Sequence, residues 1–248
     1  MFRRKLALLL SSNIIFISFC SSLYSGWDAN NEVYTKEYKG KIIQKVLNIP
    51  HKSQPNTYTC GATNLQSIVR WKTLYNGDNK VVYDIDSIYQ YVNTNDSDGI
   101  QIPELKSGYT NLIDYTNNIY GMKISNHTTE IQGKTIADAI YGFYNINLLN
   151  KNSPAILYGN TKDGLPGYHY YMAIGGINCD KAICGLELKG LYLNDSVYDS
   201  PGWTADSSKR KNALTPWQFV NEKELETYWK KTGSKLPWER THNMLTFP

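Results

Sequence analysis

The residue best placed to do chemistry is a cysteine at the start of a helical pattern. In the stretch QPNTYTCGATNLQSIVR, from Gln54 to Arg70, a polar and turn-rich approach ends at Cys60. A thiol attacks an acyl carbon as the thiolate, and both a helix N-terminus and a nearby imidazolium favour that form. Gln54 stands six positions upstream. Its side-chain amide and the Cys60 backbone N–H are the two donors that an oxyanion hole would need. For the imidazole the chain offers His51, His127, His169 and His242. His169 is the strongest candidate, because it sits where a glycine-containing loop enters an apolar run, TKDGLPGYHYYMAIGGI. A rigid strand can present a side chain at such a mouth. The other three lie in polar loops or in the tail and read as solvated residues. An imidazole base needs a partner to hold its tautomer and ring plane, and Asn194-Asp195 is available after the next apolar run. Each residue also has a plain structural reading: Cys60 as a small buried hydrophobe, His169 as a hydrogen-bonded core histidine, Asp195 as a strand-end turn residue, Gln54 as a loop glutamine.

The elements that must position these residues follow from periodicity. Ile42 to Ile49 reads as an extended segment ending at Pro50. Thr59 can cap a helix in which Ala62, Leu65, Ile68 and Val69 form one apolar face, ending at Asn76-Gly77-Asp78. Asp84 or Asp86 can cap a second helix with Ile85, Ile88, Tyr89 and Val92 on one face. Pro103 to Ile119 reads as a third helix broken by Gly121, Met122 to Ser125 as a short strand, and Thr135 as the cap of a fourth helix. Three strands are then expected, at Pro154 to Tyr158, Tyr170 to Ile177 and Leu186 to Leu193, the last two forming a hairpin. Antiparallel pairing in that hairpin returns Asn194-Asp195 beside His169. Thr215-Pro216 reads as a helix start continuing from Glu222 to Lys231, and Ser234 to Pro248 as an irregular tail. Helices in the first half and strands in the second imply an α+β domain, a helical half packed on an antiparallel sheet.

Composition and the N-terminus bound the setting. The chain has 248 residues, 41% of them hydrophobic, enough for a sizeable core. Arg3, Arg4 and Lys5 precede a largely apolar run from Leu6 to Phe19, which is short for a membrane span and fits an export signal. Ile17-Ser18-Phe19-Cys20 resembles a lipoprotein box, with Cys20 as the lipidated residue. An ordinary signal cut near Cys20 or Ser22 and an uncleaved anchor are the competing readings. The expected organisation is a signal over residues 1–20, a polar lead-in over 21–40 and one domain over 41–248. The net charge of +4 falls to +1 without those three basic residues, 23 basic against 22 acidic, so bulk charge gives no case for nucleic acid. Outside the cytosol, paired thiols oxidise. A Cys179–Cys184 disulfide at the hairpin tip would leave Cys60 as the unpaired thiol. Cys179 and Cys184 have no histidine at ligand spacing, so neither a metal nor another cofactor is expected.

Taken together, Pro50, Gln54, Cys60-Gly61, Gly167-Tyr168-His169 and Asn194-Asp195 resemble the papain-like cysteine peptidases, and within them the bacterial C39-like branch. The resemblance covers roughly residues 40 to 230. The chain departs from that pattern where Tyr168 stands between glycine and histidine, where Ser196 rather than proline follows the aspartate, and in a longer step from His169 to Asp195. The resemblance implies a papain-like fold and an exported thiol peptidase acting on a peptide or isopeptide bond. Cys60 would be the nucleophile, His169 the acid and base, Asp195 (or Asn194) the orienting group, and Gln54 the oxyanion donor. The partner would be a peptide or protein substrate, and the protein a monomer that meets a membrane only through a lipid on Cys20. Its place would be the periplasm, the cell surface or the medium. The same parts would serve a transglutaminase-like or transpeptidase-like acyltransferase, and the groove alone a non-catalytic peptide-binding module.

Overall fold

One long strand organises the sheet, and the candidate histidine sits at its start. This computed structural model describes residues 33–56, 58–75, 81, 83–92, 100–160, 168–185, 187–200, 213–229 and 241–248. The export signal, Cys20, the loop over residues 161–167 and Trp203 lie outside them. Strands β1 (Val33–Tyr38), β2 (Lys41–Leu47), β3 (Thr129–Gly133), β4 (Ala155–Asn160), β5 (Tyr168–Cys179), β6 (Leu188–Asn194), β7 (Gln218–Asn221) and β8 (His242–Thr246) form one antiparallel sheet. Its path runs β1-β2-β5-β4-β8-β3, and β6 joins β5 to β7. The first half of β5 pairs with β4, from Asn160↔Tyr168 to Ala155↔Ala173. Beyond an irregularity between Ala173 and Gly175 its pairing includes β2, at Val46↔Gly175. A side chain at Gly175 would strike the Lys45 carbonyl, so glycine is what lets the two strands approach there.

The helices supply the other half of this α+β domain. They are α1 (Cys60–Tyr75), α2 (Ile85–Val92), α3 (Ile102–Tyr120), α4 (Ile136–Tyr141), the single turn α5 (Lys181–Cys184) and α6 (Glu222–Tyr228). Helix α1 is enclosed by β5, α2 and α3, which explains why its polar residues are buried along with the apolar face. Thr63, Asn64, Ser67, Lys72 and Thr73 join Leu65, Ile68 and Val69 inside. Asn64 Nδ2–H donates to the Tyr170 carbonyl at 2.8 Å, a side-chain bond that fastens α1 to β5. Asp84 caps α2 by accepting from Ser87 N–H at 2.6 Å. Thr135 and Asp138 form a capping box for α4, which continues through a π-helical segment, Gly142–Leu148, to Lys151. Gly121, at φ 67°, ends α3 as expected of a left-handed cap.

Four sequence expectations are corrected. Residues 33–38, read as polar lead-in, form β1 against β2. Met122 to Ser125 is not a strand: the Asn117 side chain takes both the N–H and the carbonyl of Ile124, leaving neither for a ladder. The strand follows instead at β3, paired with β8. Thr215 does not open a helix. It bonds to the Gln218 side chain in a turn, and α6 starts later, where Asn221 and Glu224 form a capping box. The tail is not irregular, because His242–Thr246 lies between β4 and β3 with Met244 and Leu245 buried.

Candidate active site

The thiol of Cys60 lies at the first residue of α1, and the local sequence leaves that end of the helix open. The Thr59 hydroxyl donates to the Asn56 carbonyl at 3.3 Å instead of accepting from the first turn, and that turn carries no acidic residue. The bond from Thr63 N–H to the Thr59 carbonyl, 2.9 Å, is the earliest of the helical ladder. The N–H groups of residues 60 to 62 therefore precede it, at the positive end of the helix dipole. Gly61 has no side chain where one would press on Ile100, Tyr170 and Leu105, so α3 and β5 close tightly over the helix start.

His169 is the second residue of β5, inside the strand rather than at its border, and it is 3% exposed. Its Nε2–H donates to Asp195 Oδ1 at 2.8 Å, which leaves Nδ1 for the Cys60 thiol, its other hydrogen-bond partner. The ring packs edge-on against Tyr171 at 4.6 Å between centroids, and Tyr171 in turn against Tyr228 at 5.8 Å. Gly159 faces His169 across the β4–β5 ladder. A side chain there would overlap the Tyr228 carbonyl, so glycine lets α6 support the strand beneath the imidazole.

Asp195 follows β6, where the register Met172↔Asn194 brings it back alongside the start of β5. Besides His169, its carboxylate accepts from Val197 N–H at 3.0 Å and Leu214 N–H at 3.2 Å. Its carbonyl accepts from His51 Nε2–H at 2.9 Å. Asn194 points elsewhere: it accepts from Trp217 N–H at 2.8 Å and donates to the Ile49 carbonyl at 3.4 Å. Of the two neighbours, Asp195 is the one brought to the imidazole.

The three groups share their charge. Burial pushes the Cys60 thiol up, but the hydrogen bond and charge of His169, with the Tyr170 and Gly61 N–H groups, bring it below the ordinary thiol range. Burial pushes His169 down, and the charge and hydrogen bond of Asp195, followed by Cys60, outweigh this and raise it to about 10. For Asp195, burial acts upward and is overcome by His169 and the two backbone donors, so the carboxyl lies below its usual range. The proton therefore rests on the imidazole, giving a thiolate and an imidazolium held by a carboxylate.

Gln54 is fully buried, and the structure places it against the residues after Asp195. Its backbone N–H donates to the Ser196 carbonyl at 2.8 Å, and its carbonyl accepts from Ser200 Oγ at 2.5 Å. The amide Oε1 accepts from Ser196 Oγ at 2.7 Å, while Nε2 donates to the Asn56 carbonyl at 2.5 Å. That carbonyl also receives the Thr59 hydroxyl, so the amide is tied to the turn leading into Cys60. The second N–H of the amide has no acceptor among the described residues. Sequence reasoning named Cys60, His169, Asp195 and Gln54, and missed Ser196, Ser200, Val197 and Leu214. The last is 19 residues from the carboxylate it serves, and nothing local signals that contact. Of the other histidines, His51 bonds to the Asp195 carbonyl and packs edge-on against Tyr198, and His242 lies in β8 beside Trp229. No group of three or more histidine, cysteine or acidic residues among the described residues is placed to hold a metal ion.

No family model matches the chain, and no curated protein does. Among solved structures the chain is similar to UfSP from C. elegans, with a TM-score of 0.49 and 14% sequence identity. The overlap covers 90% of this chain and 35% of that one, so the chain spans about a third of that protein's length.

Proposed function

We propose that the chain is a papain-like thiol peptidase of the C39-like kind, acting outside the cytosol on a peptide or isopeptide bond. The observation that carries this reading is the buried relay of Cys60, His169 and Asp195 at the N-terminus of α1. The Cys60 thiolate attacks the acyl carbon. The oxyanion that develops takes hydrogen bonds from the Cys60 N–H and from the free N–H of Gln54. Imidazolium His169 then protonates the leaving amine as the C–N bond breaks, and a thioester remains on Cys60. Neutral His169 takes a proton from water, whose oxygen attacks the thioester and frees the thiol. Asp195 keeps Nδ1 aimed at the sulfur throughout. The Cys179–Cys184 disulfide agrees with an oxidising compartment and leaves Cys60 free.

The test is alkylation with limiting iodoacetamide at mildly acidic pH, where an ordinary thiol is protonated. Cys60 should label rapidly and the His169→Ala protein slowly. Sluggish labelling that His169→Ala leaves unchanged would sink the reading. A peptide library incubated with and without amines then identifies the reaction. Shortened peptides would mark a hydrolase, and amine-bearing products an acyltransferase.

A further inference from the structure

We propose that Glu104, Tyr158 and Tyr170 form a cation-accepting wall beside Cys60, and that the substrate carries a lysine or arginine side chain next to the bond that is cut. The proposal rests on Cys60 being the nucleophile, and adds to it a choice of substrate. Its starting point is a buried group that the relay does not use. Tyr170 follows His169 in β5, so its ring leaves the opposite face of the strand. The residue is 4% exposed, and its buried hydroxyl has no hydrogen-bond partner among the described residues. A buried hydroxyl left in that state is costly, and calls for a partner from outside the chain.

The neighbours of Tyr170 belong to the site. Its backbone is fastened to the start of α1, the N–H bonding to the Cys60 sulfur and the carbonyl accepting from Asn64 at 2.8 Å. Its ring lies against Gly61, where an added Cβ would stand 3.3 Å from Tyr170 and Ile100 and 3.4 Å from Leu105. Half-buried Tyr158 faces it across the β4–β5 ladder, with ring centroids 5.0 Å apart. Glu104, the residue before Leu105, is also half-buried, in the first turn of α3. Its Oε2 accepts from Gln101 N–H at 2.7 Å, and its Oε1 takes no hydrogen bond from the described residues.

These groups offer negative charge or π density. Burial, then the charges of Tyr158, Cys60 and Glu104, push the Tyr170 hydroxyl's pKa up, so it stays a neutral phenol. Imidazolium His169 is already engaged by Cys60 and Asp195. An arriving ammonium or guanidinium brings N–H donors for the Tyr170 oxygen and Glu104, and a charge for the ring faces of Tyr158 and Tyr170. A carboxylate would be repelled by Glu104 and the thiolate, and an apolar side chain would leave the hydroxyl unpartnered.

Charged thiol reagents test the wall on the full chain at neutral pH. The Cys60 thiolate attacks the sulfenyl sulfur of a methanethiosulfonate, an S–S bond forms and methanesulfinate leaves. The 2-aminoethyl reagent delivers an ammonium and the methyl reagent no charge, and both are read on the Cys60 peptide by mass spectrometry. The ratio of the two rates cancels any change common to both. In the wild type it should exceed the ratio for free cysteine about tenfold, a modest effect for one carboxylate near a protein surface. Glu104→Gln should bring it down to the free-cysteine ratio, since glutamine keeps the capping box but not the charge. Tyr170→Phe should lower it a few-fold. Asp114→Asn removes a charge about 15 Å further along α3, beyond the Debye length, and should leave the ratio as it is. Peptides cut by the protein should carry lysine or arginine beside the cut bond or one residue away. A wild-type ratio equal to that of free cysteine, an unchanged ratio in Glu104→Gln or Tyr170→Phe, an equal fall in Asp114→Asn, or cut sites with no basic residue would each overturn the proposal. Slow labelling of the wild type by the methyl reagent would instead overturn the reading of Cys60 as a nucleophile.

Discussion

At the scale of single residues, Cys60 and His169 are two buried groups that each stabilise the other's charge. This fixes the sign of the site's pH dependence. In the proposed reaction the reactive pair is thiolate with imidazolium, so activity should appear as pH rises through the lowered pKa of Cys60, below the ordinary thiol range. It should fall again as His169 loses its proton, well above neutrality and toward about 10. A profile of kcat/KM against pH on a cleaved peptide checks both limbs. An acid limb at the ordinary thiol value would show that no ion pair forms. Asp195→Asn tests the third member. Its single amide oxygen can keep only one of the bonds from Val197 and Leu214 N–H, and it carries no charge, so His169 loses its largest source of support. The alkaline limb should move to lower pH, and kcat should fall on the order of 100-fold or more. Such a shift separates an electrostatic partner from a residue that merely fills space.

At the scale of elements, the hairpin of β5 and β6 does two separate jobs at its two ends. One end carries His169 and, after the strand, Asp195. The other is closed by Cys179–Cys184 around the single turn α5. His169 and Cys179 are about 33 Å apart at the rise of an extended strand. Replacing both tip cysteines with serine should lower stability by about 2 kcal/mol through the loop-closure term for so short a loop, as read by urea denaturation. The alkylation rate of Cys60 should not change, because the catalytic end does not touch the tip. Gly159→Ala makes the opposite prediction. The added methyl would drive the Tyr228 carbonyl away, and the cost should reach about 3 kcal/mol, at the upper end for overpacking. Since Gly159 faces His169 in the ladder, alkylation at acid pH should slow as well.

At the scale of the whole molecule, strand β8 and the residues after it interlock with the middle of the chain. Strand β8 enters between β4 and β3, and Phe247 beyond it is fully buried against Tyr109 of α3, with ring centroids 4.8 Å apart. Its N–H donates to the Pro154 carbonyl at 3.0 Å, just before β4. Phe247→Ala should therefore cost about 3–5 kcal/mol, the range for a fully buried phenylalanine, measured as a shift in urea midpoint at constant slope.

Much of the site was legible in the residues because its parts are local. The helix start at Cys60 is written in seventeen consecutive residues, although Thr59, expected as its cap, bonds to the Asn56 carbonyl instead, and the hairpin that returns Asp195 to His169 follows from two adjacent apolar runs. The residues alone carried the main helices, the β5–β6 hairpin and the candidate groups, since period and turn chemistry act over a few residues. Only the tertiary structure decided that the tail is a strand within the sheet, that Leu214 serves Asp195, and that Ser196 rather than water meets the Gln54 amide. Those contacts join segments 19 to about 140 residues apart. Their register is set by which buried faces fit together, and no local pattern carries that information.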